Sequence, residues 1–178
     1  MGVKPEYRMY YIAWVLSGEA ARHISRLQQY ACDTFDSCRA MRSPPHVTIV
    51  PPFHFPVVKE EILTDLVMKW SATLPSFDWQ LDGFHHFNNH TIYAQAKGPV
   101  ELPVWRRKLF EKLGKTPHRA SFVPHVTIAF RDLSPERFVE AWRYFSELPL
   151  QLSCRQDHVS VLRHLGDHWE ECSKFCLA

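Results

Sequence analysis

The chain has 178 residues, 46% hydrophobic and 22% charged, with a net charge of +2 and a pI near 8.3. This length is most simply one soluble domain with a full core. The charge is too mild to signal a long nucleic-acid footprint but suits a small anionic ligand in a local basic pocket.

The N-terminus carries no apolar leader, and the apolar run Met9–Leu16 is too short to span a bilayer. Met1-Gly2 raises N-acylation, but Glu6 stands where that motif needs Ser or Thr. The cysteines are odd in number (Cys32, Cys38, Cys154, Cys172, Cys176) and lack the spacing of a disulfide framework. Reduced thiols and a cytoplasmic location are therefore expected, with no membrane partner.

Residues 8–16 read as a buried strand. Ser17 is a candidate N-cap, and Ala20, Ile24, Leu27, Ala31 and Phe35 then recur at helical spacing. Residues 46–50 read as a short strand entered through Pro44-Pro45 and left through Pro51-Pro52, because proline cannot donate to a ladder. A helix over 57–74 would bury Ile62, Leu63, Leu66, Val67, Trp70 and Leu74. Strands at 77–87 and 91–97 are split by Asn88-Asn89, a hairpin signal. A helix over 103–114 stops at Gly114.

A strand at 125–130 precedes a strong helix start, Ser134-Pro135-Glu136, with Phe138, Ala141, Trp142 and Phe145 facing inward. Strands near 150–155, 158–164 and 169–176 close the chain, the last two turned by Gly166-Asp167.

One phrase occurs twice: Pro45-His46-Val47-Thr48-Ile49 and, 79 positions on, Pro124-His125-Val126-Thr127-Ile128. With 11 His and 7 Thr in the chain, a bare His-x-Thr arises by shuffling about 0.4 times, so it is weak alone. The whole pentamer is not expected by chance, and each copy is followed by a helix and then paired strands. This duplication predicts an α+β fold of two pseudo-symmetric lobes, each an antiparallel sheet with helices on its outer face and a cleft between them. Lobe one is expected at about 44–115, and lobe two at about 1–43 plus 116–178, together a single bilobal domain over 1–178.

On a strand, residues i and i+2 share a face. His46 and Thr48 therefore face one way and Val47 and Ile49 the other, and the second copy repeats this with His125 and Thr127. Opposed across a cleft, two imidazoles and two hydroxyls suit a phosphodiester. One neutral imidazole takes a proton from water, one protonated imidazole gives a proton to the leaving oxygen, and the threonines donate to nonbridging oxygens. No metal or cofactor is required.

The stretches Ser43 to Ile49 and Pro124 to Leu133 resemble the 2H phosphoesterase superfamily, in particular its RNA 2′,3′-cyclic phosphodiesterases, also labelled 2′-5′ RNA ligases. The element order extends the resemblance over most of the chain. It implies that His46 and His125 are the catalytic pair, that Thr48 and Thr127 bind phosphate, and that His46 is the acid and His125 the base, an assignment that symmetry makes reversible. It also implies a basic residue after the second motif, for which Arg131 is the candidate, and Phe53 is a candidate base-stacking aromatic. The implied reaction opens an RNA terminal 2′,3′-cyclic phosphate to a 2′-phosphate, with RNA ends or small nucleotides as partners and the chain a monomer.

Other substrates fit the same four residues: 2′-5′ oligoadenylate, a cyclic nucleotide or an RNA 3′ end. A noncatalytic RNA-binding module would keep basic and aromatic residues without needing two histidines. A zinc site at His164, His168, Cys172 and Cys176 needs a helix, and Gly166-Asp167 reads as a hairpin instead. No cysteine stands in a context that would activate it as a nucleophile.

Overall fold

Alternating apolar residues make the strands, and apolar residues at helical spacing make the helices that cover them. The computed structural model describes residues 6–117 and 122–178. Residues 1–5, on which the leader and acylation readings fall, lie outside the described residues. In chain order the elements are β1 (Tyr7–Val15), α1 (Gly18–Phe35), β2 (His46–Pro56), α2 (Glu60–Ser71), β3 (Phe77–Phe87), β4 (Thr91–Lys97), α3 (Leu102–Lys112), β5 (His125–Phe130), α4 (Pro135–Glu147), β6 (Gln151–Gln156), β7 (His158–His164) and β8 (Trp169–Cys176). A 3-10 turn at Arg39–Arg42 leads into β2. Among the described residues no helix is long and apolar enough to cross a membrane.

The fold is α+β. The eight strands form one curled antiparallel sheet in the order β6-β3-β4-β5-β2-β1-β7-β8. Tyr10, Ile12 and Trp14 of β1, Val47 and Ile49 of β2, and Val126 and Ile128 of β5 share one core with the inward residues of the helices, including Ile24, Leu63, Leu109 and Phe145. Each such side chain contributes roughly 1.5–3 kcal/mol by leaving water. The other sheet face holds a smaller cluster of Tyr11, Ala13, Val15 and Leu162, with Trp169 against it. His46, Thr48, His125 and Thr127 are half-buried and alternate with fully buried neighbours. Period-2 alternation thus places the polar motif residues opposite the core.

The pairing divides the chain elsewhere than at 43/44 and 115/116. β1, β7 and β8 lie on the β2 side of the β2–β5 contact, whereas β4, β3 and β6 lie on the β5 side. Helix α1 packs on β5, β6 and α4; α2 packs on β7, β8 and α3; α3 also touches β2. Each half is therefore woven from both ends and the middle of the sequence. Antiparallel neighbours need not be consecutive, and the helix after β1 crosses to the far half before the chain returns as β2. The repeated run is β1–α1–β2–α2 and β4–α3–β5–α4.

Strand β2 does not stop at Pro51-Pro52. Its partners on β1 jump from Val50↔Ile12 to Phe53↔Tyr10, so the two prolines form a bulge opposite Tyr11. β2 meets β5 at Val47↔Val126 only, so beyond that point no ladder needs the missing N–H groups. The 57–74 helix is shorter than expected: a 3-10 turn takes Val57–Lys59, and Ile62 is 60% exposed.

Cys32 and Cys38 are joined in a disulfide, with Cα atoms 4.4 Å apart, contrary to the expectation of reduced thiols throughout. The cytoplasmic location argued from those thiols loses that support. Asp36 takes a left-handed conformation (φ 62°) and ends α1, turning Cys38 back onto the last helical turn. No framework spacing was needed because one reversal brings the pair together. Cys38→Ser is expected to lower the unfolding free energy by about 2 kcal/mol, the loop-closure value for so short a loop. Urea unfolding with and without dithiothreitol measures this: wild type should show the loss on reduction and the variant should not.

Candidate active site

Both motifs tie their histidines down in the same way. His46 Nδ1 donates to the carbonyl of Pro44 at 2.7 Å, and His125 Nδ1 donates to the carbonyl of Val123 at 2.8 Å. A carbonyl only accepts, so Nδ1 carries the hydrogen and Nε2 presents its lone pair in the neutral ring. The residue before a proline is held extended, so Pro45 and Pro124 fix the carbonyls two positions before each histidine. Each proline carbonyl is in turn pinned by the neighbouring strand: Leu16 N–H donates to Pro45 at 2.9 Å and Ala96 N–H to Pro124 at 3.1 Å. The proline in the shared pentamer therefore has a geometric task.

The two motifs meet side by side on adjacent central strands, not across two opposed sheets. From the single register pair Val47↔Val126, one step each way sets His46 across from Thr127 and Thr48 across from His125. The two histidines are diagonal neighbours across this contact, near enough for His125 to act on the His46 charge. All four side chains line one cavity of about 210 Å³.

The strands splay after that one pair, and helices supply the missing donors. Gln28 of α1, buried within the helix face, donates Nε2–H to the Thr127 carbonyl at 2.8 Å. Arg106 of α3 donates Nε–H to the Ile49 carbonyl at 2.8 Å, its guanidinium over the Phe110 ring. These helices occupy equivalent places in the repeat. Gln28→Leu is expected to leave the Thr127 carbonyl without its partner and lower stability by about 1–3 kcal/mol. Equal urea midpoints for variant and wild type would show that another donor replaces it.

Each imidazole is flanked by a tyrosine from the adjoining strand. Tyr11 lies 4.9 Å from the His46 ring and packs edge-on to Trp169. Tyr93 lies 5.1 Å from the His125 ring, with Phe87 edge-on at 4.9 Å. This apolar setting disfavours imidazolium. Burial lowers the His46 pKa to about 4, with the nearby His125 adding to the effect and the Pro44 bond opposing it. Burial likewise pushes His125 below its usual value. The Tyr11 phenol is held un-ionised by burial and hydrogen-bonds with Ser43 Oγ.

Two half-buried histidines whose Nε2 atoms have no hydrogen-bond partner among the described residues, two threonines and a shared cavity are a general acid–base arrangement. The family model described as the 2′-5′ RNA ligase superfamily matches residues 16–168. The chain belongs to this superfamily. It is a superfamily of phosphoesterases acting on RNA or nucleotides.

The fold is similar to other solved structures over nearly the whole chain. TT0787 of Thermus thermophilus is 15% identical, with 95% of this chain and 97% of that one covered and a TM-score of 0.66. E. coli LigT complexed with 3′-AMP is 16% identical, with coverages of 97% and 99% and a TM-score of 0.66. Kluyveromyces marxianus Usb1 is 10% identical, with coverages of 96% and 98% and a TM-score of 0.52. At these identities the likeness is one of fold. No curated protein matches the sequence.

Two expected site residues stand elsewhere. β5 ends at Phe130, and Arg131 adopts φ 55° with its N–H on the His90 carbonyl at 2.7 Å. That reversal takes its exposed side chain off the His/Thr face, and it does not line the cavity. Phe53 is a core aromatic, 9% exposed, with the Lys115 ammonium 4.5 Å from its ring centre. The register shifts of β2 at Ile49 and at Pro51-Pro52 cancel, so Phe53 keeps the core face of Val47 and Ile49.

The cavity instead takes Tyr11, Gln28, Arg39, Ser43 and Trp169 from outside the motifs. Gln28 could have been noticed as the polar residue inside an apolar helix stripe. The other four carry no spacing signal. The His164, His168, Cys172 and Cys176 set lies along the β7–β8 hairpin, where helical i,i+4 alignment does not apply.

Proposed function

We propose that this protein hydrolyses the terminal 2′,3′-cyclic phosphate of RNA to a 2′-phosphate without a metal. The observation that carries the reading is the matched pair of imidazoles, each with Nδ1–H held by a backbone carbonyl and Nε2 available to the same cavity.

The neutral histidine accepts a proton from water as its oxygen bonds to phosphorus. The P–O3′ bond breaks, and the protonated histidine gives its proton to the departing 3′ oxygen. Thr48 and Thr127 donate to the nonbridging oxygens, where charge grows in the transition state. His46 as acid and His125 as base follows the family assignment, and the near-symmetry of the two motifs supports the reverse equally. Burial favours the neutral form of both rings in the free protein, and a bound anion stabilises the imidazolium that the acid must be. Both motifs reside in one chain, which agrees with a monomer.

LigT has been solved with 3′-AMP, with ATP and with NADP+, which supports nucleotides as ligands of a cavity of this kind. The test is an oligonucleotide ending in a 2′,3′-cyclic phosphate, incubated with chelator present. The expected product is a 2′-phosphomonoester. Turnover of 2′-5′ oligoadenylate, a cyclic mononucleotide or an RNA 3′ end in its place would keep the acid–base pair and change the substrate. RNA binding without turnover of any phosphodiester would favour the binding module.

A further inference from the structure

We propose that Arg39, and not Arg131, is the anion subsite of the cavity, its guanidinium holding a nonbridging oxygen of the bound phosphodiester. The inference rests on the reading above only in that a phosphate enters this cavity.

Among the described residues, Arg39 is the one lining side chain of fixed charge. The other lining residues are aromatic, apolar, hydroxyl or amide groups and the two histidines. Burial keeps both imidazoles from supplying standing positive charge. A phosphodiester carries one full negative charge, and taking it from water into an apolar cavity is unfavourable unless a cation meets it.

Arg39 is also held in place. Its backbone N–H donates to Asp132 Oδ2 at 2.7 Å, while Ser37 Oγ donates to Asp132 Oδ1 at 2.5 Å. Ser37 is fully buried, and its oxygen also accepts from the Phe130 N–H at 3.3 Å. Asp132 thereby lashes the loop after α1 to the end of the second motif strand. The Cys32–Cys38 bond closes the same loop one residue before Arg39.

The carboxylate that fixes the Arg39 backbone is engaged by these two donors. No ion pair among the described residues involves the guanidinium. Its partner is the Arg131 carbonyl, at a long 3.5 Å. Among the described residues this bond takes one of its five N–H donors, and the others remain for a ligand. The left-handed turn that removes the Arg131 side chain from the motif face presents that residue's carbonyl to Arg39. The cation needed after the second motif is thus delivered from a different loop.

The test uses inorganic phosphate as probe, titrated calorimetrically into the full chain at pH 7 and low salt. Arg39→Ala should weaken phosphate binding about 10–100-fold, the range for a charge-assisted contact. Arg39→Lys should recover part of the loss. Arg131→Asn, which suits a left-handed position, should stay within about twofold of wild type. With a substrate, Arg39→Ala should raise KM more than it lowers kcat, as expected for a contact already made in the ground state.

Unchanged phosphate affinity in Arg39→Ala would overturn the proposal. An equal loss in Arg131→Asn would do the same. Arg39-dependent phosphate binding in a protein inactive on 2′,3′-cyclic phosphates would uphold the subsite while removing the proposed substrate.

Discussion

Replacing either His46 or His125 should lower hydrolysis of a 2′,3′-cyclic phosphate by about 10²–10⁴-fold in kcat. Each imidazole handles one proton of the same displacement, so loss of either leaves an unassisted attack or an unassisted leaving group. Because the two act as a unit, the double variant should be about as slow as the worse single one, not the product of both. Asparagine is the sharper replacement. Its side-chain amide can still donate to the Pro44 or Val123 carbonyl that now receives Nδ1–H, while nothing stands in for Nε2. His46→Asn and His125→Asn should therefore keep wild-type unfolding midpoints and lose turnover. Full activity in either one would make that imidazole a spectator.

The second large effect is on pH dependence. The profile of kcat/KM reports the free enzyme, where burial puts His46 at about 4 and His125 below its usual value. Whichever ring is the acid, the active form carries one proton on the pair. That form declines tenfold per pH unit above the higher of the two pKa values, which lies below 6.5. The optimum of kcat/KM should therefore sit on the acid side of pH 6.5, with a fall of roughly 100-fold from pH 6.5 to 8.5. The kcat profile should lie at higher pH, because a bound phosphodiester anion favours imidazolium.

Stability moves in the opposite direction at the acid end. A folded pKa below the unfolded value means that the unfolded chain takes up the proton first as pH falls. The His46 contribution is complete above pH 6.5 and is lost as pH drops toward 4. Near-UV circular dichroism at each pH separates unfolding from the kinetic limb. A kcat/KM optimum at pH 7 or above, with chemistry limiting, would contradict the buried pair.

Local features of the site were legible because they depend on local geometry. The alternation in Pro45 to Ile49 and Pro124 to Ile128 put His and Thr on one face and Val and Ile in the core, as observed. The Ser134-Pro135 helix start is present, with Ser134 Oγ accepting from the Arg137 N–H at 3.2 Å. At Ser17 the helix begins as expected, yet no side-chain cap bond forms. Arg131 shows where locality fails. Six residues from His125 means the same face only while the alternation holds; the register shift at Ile128 already turns Phe130 to the cavity, and the left-handed turn follows at Arg131. Phe53 is a different case: seven residues from His46 it shares the face of Val47 and Ile49, and it lies in their core.

The sequence by itself determined the order of strands and helices, most of their inward residues, and the duplicated His-x-Thr pair, because helix and strand periods are properties of a short stretch of backbone. Only the tertiary structure decided that β2 and β5 lie side by side, that Gln28 and Arg106 reach the open carbonyls between them, and that Arg39 lines the same cavity as the two histidines. Those contacts join residues tens of positions apart. Their partners are set by which apolar faces can be buried together, a competition over the whole chain that no local spacing encodes.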